Sequence, residues 1–279
     1  MIRLIFTLIF LGSIGYGLWW TGESYPELKD KALQALPTSS FTALEPRFTA
    51  NQIMESEKPS LLSGSRQQFG DYSVAFQPFL LMEVKFTRPN DTTGEGIILW
   101  DLLDGEMILD VQTWEKSHGF ADCINMHADA YELKILSTIA HHGNRADRQT
   151  LLQAMNMEGS MLDNWIDRCL KKKLIVGHHG VYRIHLESPK MAFTPLTRCN
   201  IPLITKSSKH PEKIKKTFSS SQVTRIAEAA FGNDFAIRQI HEVFLPIYCL
   251  TVQNSDGSFQ TTHWNSLNGQ KLLHTSHRE

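Results

Sequence analysis

The 279-residue sequence lacks the short motifs that mark common cofactor sites. It contains neither a P-loop nor a G-x-G-x-x-G stretch, so nothing in it points to nucleotide binding. The cysteines form no C-x-x-C pair, which argues against a zinc site or a thioredoxin-like motif; they are Cys123, Cys169, Cys199 and Cys249. The sequence therefore predicts no cofactor, and the cysteines leave the redox compartment open.

Catalytic and metal-binding patterns are also missing from the sequence. His118 and Cys123 could pair as a nucleophile with Asp122 orienting the imidazole, but no Gly-rich elbow or oxyanion element accompanies them. The histidine pairs 141–142 and 178–179 have no evident acidic or thiolate partners, and adjacent side chains point in different directions. We therefore expect no catalytic residue and no metal ligand, and interpret the chain as non-enzymatic.

The two halves of the chain carry opposite charge. Residues 1–140 hold 10 Lys+Arg against 18 Asp+Glu, residues 141–279 hold 18 against 11, and the net charge is −1. Two such halves can attract each other, or the basic half can meet an anionic partner.

An uncharged, largely apolar run stands near the amino terminus, from Leu4 to Trp20. As a helix it would span roughly 25 Å, which is the lower limit for crossing a bilayer. We predict a membrane anchor over residues 1–22 that enters the membrane through residues 4–20, followed by a linker over residues 23–46. A cleaved signal peptide is the alternative, although no clean small-x-small site is present. The very short tail before the run favours the bulk of the chain outside the cytoplasm.

Three sequence patterns occur twice, in the same order and at similar spacing. Residues 48–53 match 218–223, residues 78–84 match 246–252, and residues 100–106 match 264–270. The sequence therefore predicts two copies of one α/β unit, over residues 47–128 and 218–275.

Each copy is predicted to hold one helix and a three-stranded meander. Ser and Thr residues before Gln52 and Gln222 are suited to cap the helices. The dipeptides that end in Gly105 and Gly269 favour hairpin turns, because both positions tolerate positive φ. The repeated Trp100 and Trp264 are predicted to lie with these glycines in the core of each copy, rather than to form a ligand-stacking platform.

Residues 129–187 follow a different pattern. Helical spacing of apolar residues recurs in three short segments, which begin near Asp129, Asp147 and Ser160, and a hairpin with a Gly177–Gly180 turn follows. This order resembles the winged-helix variant of helix-turn-helix domains. The predicted fold class is α+β, with an N-terminal membrane helix and two repeated helix-plus-three-strand units that flank a winged-helix-like module.

The third helix of a winged-helix DNA reader enters the major groove. Here the candidate interaction surface comprises Asp163, Asn164, Asp167, Arg168, Lys171, Lys172, Lys173, His178 and His179. Its carboxylates would repel phosphate oxygens, and lysines at a helix carboxyl end suit the helix dipole without any ligand. The pattern favours a protein partner, with nucleic acid as the alternative. Residues 188–217 are predicted to be a solvated basic linker that could also meet nucleic acid or anionic headgroups.

Residues 113–120 and 231–238, together with the winged-helix-like middle, are similar to an uncharacterised family of single-pass membrane proteins from chlamydia-type bacteria. The resemblance implies a bacterial inner membrane and transfers no active site or partner. Our hypothesis is a membrane-anchored interaction or assembly protein that binds protein through the module and the duplicated units. A membrane-tethered winged-helix DNA-binding regulator is the alternative.

Overall fold

The computed structural model describes residues 39–272 except 63–65, 89, 192–193, 209–210 and 233. The predicted membrane segment lies outside these residues. Within the described part, no helix combines the length and the apolar character that a bilayer crossing requires. The chain divides into two units, Met1–Phe41 with Thr205–Pro211 and Thr42–Ile204 with Glu212–Glu279. The described residues of the first unit lie mainly in β-strands.

Helices and strands both contribute, so the fold is mixed α+β. The strands are β1 Ser39–Leu44, β2 Gln68–Thr87, β3 Thr93–Asp101, β4 Met107–Asp110, β5 Glu115–Lys116, β6 Ala146–Asp147, β7 Ile175–His178, β8 Val181–Ile184, β9 Leu203–Ser208, β10 Glu212–Lys213, β11 Phe235–Gln253 and β12 Phe259–Asn265. The helices are α1 Ala50–Ser56, α2 Lys58–Leu61, α3 Phe120–Asn125, α4 Ala130–His141, α5 Arg148–Met155, α6 Gly159–Lys171 and α7 Ser220–Phe231.

Two long antiparallel strands, β2 and β11, form the middle of the main sheet. Within the second unit the strands run in the order β5-β4-β3-β2-β11-β1, and β10 and β12 pair additionally with β2 and β11. A separate three-stranded sheet has the order β6-β8-β7.

The pairing of β2 with β11 is symmetrical about Gln77, which lies opposite Leu245. On one side of this pair Pro78 faces Phe244, and on the other Phe76 faces Pro246. Residue 78 matches residue 246 in the sequence. The two matching segments are therefore antiparallel and related by a local two-fold axis that passes between Gln77 and Leu245.

The symmetry extends to short parallel strands before each helix. Ala43 of β1 pairs with Phe244, and Lys213 of β10 pairs with Phe76. The helices that follow are α1 and α7, and the caps expected there are confirmed, because Thr49 and Ser219 each form a capping box. Each short strand therefore pairs with the long strand of the other segment.

The third strand predicted for residues 218–275 is not formed within the described residues, which end at 272. β2, β3 and β4 form a meander in the first segment. In the second, β11 and β12 are followed by the single bridge between Trp264 and Lys271.

Residues 129–187 pack directly against the main sheet instead of standing apart from it. Leu133 and Leu136 of α4 and Ile166 of α6 share one continuous core with Leu80 and Trp100 of the sheet. Burial of this size across several elements is the main source of folding free energy. The module and the first segment are therefore expected to unfold together.

Residues 188–217 are not a solvated linker throughout, contrary to the prediction. Thr197 is 2% exposed, and its hydroxyl donates to the Ile108 carbonyl at 2.6 Å and accepts from the Leu99 N–H at 2.9 Å. Arg198 pairs with Asp110 at 2.9 Å. Part of the positive charge of the second half of the chain thus meets negative charge of the first half within the molecule.

Candidate functional site

Trp100 and Trp264 are buried, with 0% and 4% of their surface exposed. Their indole N–H groups donate to the Gly105 carbonyl and to Thr262 Oγ1, each at 2.8 Å. A buried ring with a satisfied N–H packs in the core and offers no stacking face to a ligand.

Each hairpin turn also receives a phenylalanine from the other segment. The backbone N–H groups of Phe218 and Phe48 donate to a carbonyl of the opposite turn, each at 2.9 Å. Gly105 and Gly269 have φ values of +79° and +70°, a region that favours glycine. A Cβ on Gly105 would lie 2.7 Å from the Phe218 ring, whereas one on Gly269 would lie 3.5 Å from the Phe48 ring. Gly105 is therefore required both for its positive φ and for the close approach of the Phe218 ring.

The first turn carries carboxylates where the second carries amides. Asp101, Asp104 and Glu106 correspond to Asn265, Asn268 and Gln270. Asp104 and Asn268 both accept from the N–H two residues later at 3.0 Å, so the turn itself does not need the negative charge. The carboxylates instead meet groups that follow the first turn.

Two of these carboxylates share Lys116. Asp101 is fully buried, and its Oδ2 accepts from Lys116 Nζ and Gln77 Nε2, both at 2.7 Å. Lys116 Nζ also donates to Asp104 Oδ2 at 2.5 Å. Burial, and then the Asp101 carboxylate, raises the pKa of Asp104 to about 7 despite the nearby lysine. Burial opposes the charge of Lys116, but the two carboxylates prevail and raise its pKa above the ordinary value.

Replacing Asp104 by asparagine should flatten the pH dependence of stability. Because its folded-state pKa of about 7 lies above the ordinary 3.8, the folded chain holds this proton more tightly than the unfolded chain. The contribution of Asp104 to the free energy of unfolding therefore falls as the pH rises from about 4 to about 7. The side chain is 42% exposed, so solvent screening limits the gain of Asp104→Asn at pH 8 to below about 1 kcal/mol.

Urea unfolding of Asp104→Asn at pH values from 4 to 8 measures this effect. Asp163→Asn is the matched control, because Arg148 lowers the pKa of Asp163. Removing this carboxylate should lower the free energy of unfolding at pH 8, where Asp104→Asn should raise it. If the free energy of unfolding changed with pH in the same way for Asp104→Asn and for the unmodified chain, the expectation would be contradicted.

Glu106 organises the start of α3. Its Oε1 accepts from the N–H groups of Gly119 at 2.9 Å and Ala121 at 3.1 Å. Its Oε2 accepts from Ser117 Oγ at 2.5 Å and from the Phe120 N–H at 3.3 Å. This one buried carboxylate satisfies donors that a short helix leaves unpaired at its first turn.

The His118–Cys123 pair gains no support as a nucleophile. His118 is exposed and its Nδ1 lies 3.1 Å from the Ser188 carbonyl oxygen. Cys123 is 1% exposed, and burial raises the pKa of its thiol far above the usual range. A buried, protonated thiol is inert, because the thiolate is the reactive form.

In the part of the chain that the structure describes, no group of three or more His, Cys, Asp or Glu side chains comes together to hold a metal ion. His141 and His142 each place Nδ1 2.8 Å from a carbonyl oxygen of their own helix. The rings of His178 and His179 meet edge to face at the tip of the β7–β8 hairpin, with centroids 4.0 Å apart.

Several residues of the predicted interaction surface on α6 already have partners. Asp163 accepts from Arg148 Nε at 2.6 Å and Nη2 at 2.8 Å, and Lys171 pairs with Asp167 at 2.6 Å. The remaining exposed members of the predicted surface are Asn164, Lys173, His178 and His179. The acidic and basic charges along this face therefore largely compensate one another.

Arg168 and Lys172 correct the prediction, because both turn toward the buried Glu132 instead of projecting freely outward. Lys172 Nζ lies 2.6 Å from Glu132 Oε2, and Arg168 Nε lies 3.2 Å from Oε1. Arg168 Nη2 also donates to Asp129 Oδ2 at 2.8 Å. The Glu132 side chain is 0% exposed, so these two cations neutralise a charge that would otherwise be buried alone.

An aromatic stack that the sequence analysis missed lies beside these ion pairs. The rings of Tyr131 and Trp165 are stacked, with centroids 4.8 Å apart and an interplanar angle of 27°. The Arg168 guanidinium carbon lies 4.1 Å from the centroid of the Trp165 ring, so the indole contacts both a second aromatic ring and a cation. Tyr131 nevertheless keeps 46% of its surface exposed. We call Tyr131, Trp165 and Arg168 the aromatic stack.

Known proteins give no guide to the role of this surface. No protein-family model, no curated protein and no solved structure matches the chain.

Proposed function

We propose that the chain is a membrane-anchored, non-enzymatic interaction or assembly protein that binds a protein partner through the aromatic stack. The observation that carries this proposal is the 46% exposure of Tyr131 while its ring is held against Trp165. Tyr, Trp and Arg are the residues that most often dominate the binding energy of protein interfaces. Rings that are fixed before binding lose little conformational entropy when a partner packs on them.

The architecture around the stack supports the proposal. The order α4-β6-α5-α6-β7-β8, with the strand order β6-β8-β7, agrees with a winged-helix-like module over residues 129–187. The symmetrical register about Gln77 agrees with duplicated units over residues 47–128 and 218–275. The anchor over residues 1–22, the bacterial inner membrane and the extracytoplasmic position rest on the sequence.

DNA binding by the module is the less favoured use. If both cations beside the buried Glu132 turned to phosphates, its charge would be left unpaired, which costs about 3–5 kcal/mol. Arg168 of α6 and Lys172, the residue directly after this helix, are both held by Glu132. The helix that would enter the major groove therefore has few cations to offer.

A photoreactive phenylalanine analogue at Tyr131, in the full chain in its native cells, should form a covalent adduct with a partner protein. The same analogue at Tyr72, which is 48% exposed on β2, is the matched control and should give little adduct. Illumination followed by gel separation and mass spectrometry measures both yields. Equal yields at the two positions, or no adduct at Tyr131, would overturn the proposal.

A further inference from the structure

Two methionines of the described part of the chain are exposed. Met126 and Met161 have 46% and 48% of their surface in contact with solvent, whereas the other methionines of that part are buried or half-buried. A thioether must meet the oxidant before it can be converted to a sulfoxide. Met126 and Met161 are therefore the described methionines most open to oxidation.

Met161 lies beside the aromatic stack. It precedes Trp165 by four residues on α6, and this spacing places both side chains on one face of the helix. The Trp165 ring in turn stacks on Tyr131. Met126 directly follows α3 and shares no helix with the aromatic stack. The two methionines thus have similar exposure but different relations to the proposed binding site.

An open cavity of about 710 Å³ also borders Met161. Leu152, Met157 and Met161 supply the apolar part of its lining. Methionine side chains are common on protein-binding surfaces, because they are unbranched and adapt to the shape of a partner. Met161 contributes both to this cavity and to the helix face that carries Trp165, so it extends the apolar surface that begins at the aromatic stack.

The cysteines offer a peroxide a poorer target. Burial raises the pKa of the thiols of Cys123, Cys169 and Cys249, and the thiolate is the form that a peroxide attacks. A thioether has no proton to lose and reacts directly. Cys199 is half-buried and needs a control of its own.

We propose that Met161 is a reversible oxidation site that controls partner binding at the aromatic stack. Hydrogen peroxide transfers one oxygen atom to the Met161 sulfur, so that its O–O bond breaks, an S–O bond forms, the sulfur is oxidised and the peroxide is reduced to water. Methionine sulfoxide reductases reverse this step. The inference rests on the proposed function and adds a means of regulation at the same site.

The physical effect of the added oxygen is local. A sulfoxide replaces an apolar, flexible side chain by a polar one. A partner that packs on this surface would have to bury the new oxygen without a hydrogen bond, and such burial is unfavourable. Oxidised Met161 therefore opposes binding, although it leaves the fold and the stacked rings in place.

Met161→Gln tests the inference without an oxidant, because glutamine carries a polar oxygen on a side chain of similar length. In the full chain with the photoreactive analogue at Tyr131, this change should lower the adduct yield about tenfold, the loss that one buried polar group without a partner commonly causes. Met161→Leu should keep the yield. Met126→Gln is the matched control and should also leave it unchanged.

Hydrogen peroxide added to permeabilised cells tests the modification itself. Peptide mapping by mass spectrometry should find the added oxygen at Met161 and Met126 before the buried methionines. The Tyr131 adduct should fall in the chain that keeps Met161, recover with methionine sulfoxide reductase, and persist in Met161→Leu. Cys199 and the partner are the same in both chains, so their oxidation cannot explain a difference between them.

An equal loss of adduct with and without Met161→Leu, an unchanged yield in Met161→Gln, or oxidation of Met161 no faster than of the buried Met107 would overturn the inference. The proposed function survives each of these results, provided that the untreated chain forms its adduct at Tyr131. Absence of that adduct before any treatment would remove the proposed function, and this inference with it.

Discussion

Replacing Glu106 by alanine should lower the free energy of unfolding by about 3–5 kcal/mol, because it leaves several buried donors without partners. The carboxylate accepts hydrogen bonds from Ser117 Oγ and from the N–H groups of Gly119, Phe120 and Ala121. These donors begin α3, and Phe120 packs against Trp100 with ring centroids 4.8 Å apart. The loss should therefore spread into the core that joins the sheet to the module.

Urea unfolding followed by far-ultraviolet circular dichroism measures this loss. Gln270→Ala is the matched control, because Gln270 holds the equivalent place in the second turn and is exposed; it should cost less than about 1 kcal/mol. Glu106→Gln should fall between the two, since an amide oxygen can accept only part of the four hydrogen bonds. Equal stabilities of Glu106→Ala and Gln270→Ala would show that the cap does not hold α3.

Gly105→Ala should destabilise the chain by about 2–4 kcal/mol, because backbone strain and overpacking act together there. The added methyl group would meet the Phe218 ring at 2.7 Å, in a residue whose φ is +79°. At Gly269 the same change brings strain alone, because the Phe48 ring lies 3.5 Å away. We therefore expect Gly269→Ala to cost only about 1–2 kcal/mol.

A double-mutant cycle separates the two contributions. Phe218→Leu removes the ring that the new methyl group would meet. It should therefore recover part of the stability lost in Gly105→Ala and none of the stability lost in Gly269→Ala. Thermal or urea unfolding of the unmodified chain, the single variants and the two double variants gives a coupling energy for each glycine. A coupling energy near zero would contradict the close contact between the first turn and the phenylalanine of the second segment.

Positions with strict backbone requirements were the ones that the sequence predicted best. A helix cap needs a short oxygen-bearing side chain, and Thr49 and Ser219 supply it. A turn with positive φ needs glycine, and Gly105 and Gly269 supply it. By contrast β1 and the segment around β10 share little beyond an apolar pair, Leu44 in β1 and Ile214 directly after β10. Their equivalence comes from pairing with distant strands, which leaves no local pattern.

The aromatic stack was missed for a physical reason. Helical spacing of apolar residues identifies a face that is turned inward, and Tyr131 and Trp165 fit that spacing. It cannot tell a fully buried ring from one that lies at the margin of the core with part of its surface in water. In the same way, the sequence pattern places Arg168 and Lys172 outward on α6 and at its carboxyl end. Their partner Glu132 reaches them only when α4 and α6 pack together.

The central claim is that the aromatic stack serves binding more than folding, and adduct formation at Met161 in a chain carrying Tyr131→Ala tests it most directly. Met161 lies one turn before Trp165 on α6 and is 48% exposed. A photoreactive analogue there should form an adduct in the otherwise unmodified chain. Tyr131→Ala should abolish that adduct while lowering the free energy of unfolding by only about 1–2 kcal/mol, because the ring is half exposed and loses its stacking on Trp165. An undiminished adduct from the stably folded variant would contradict the account.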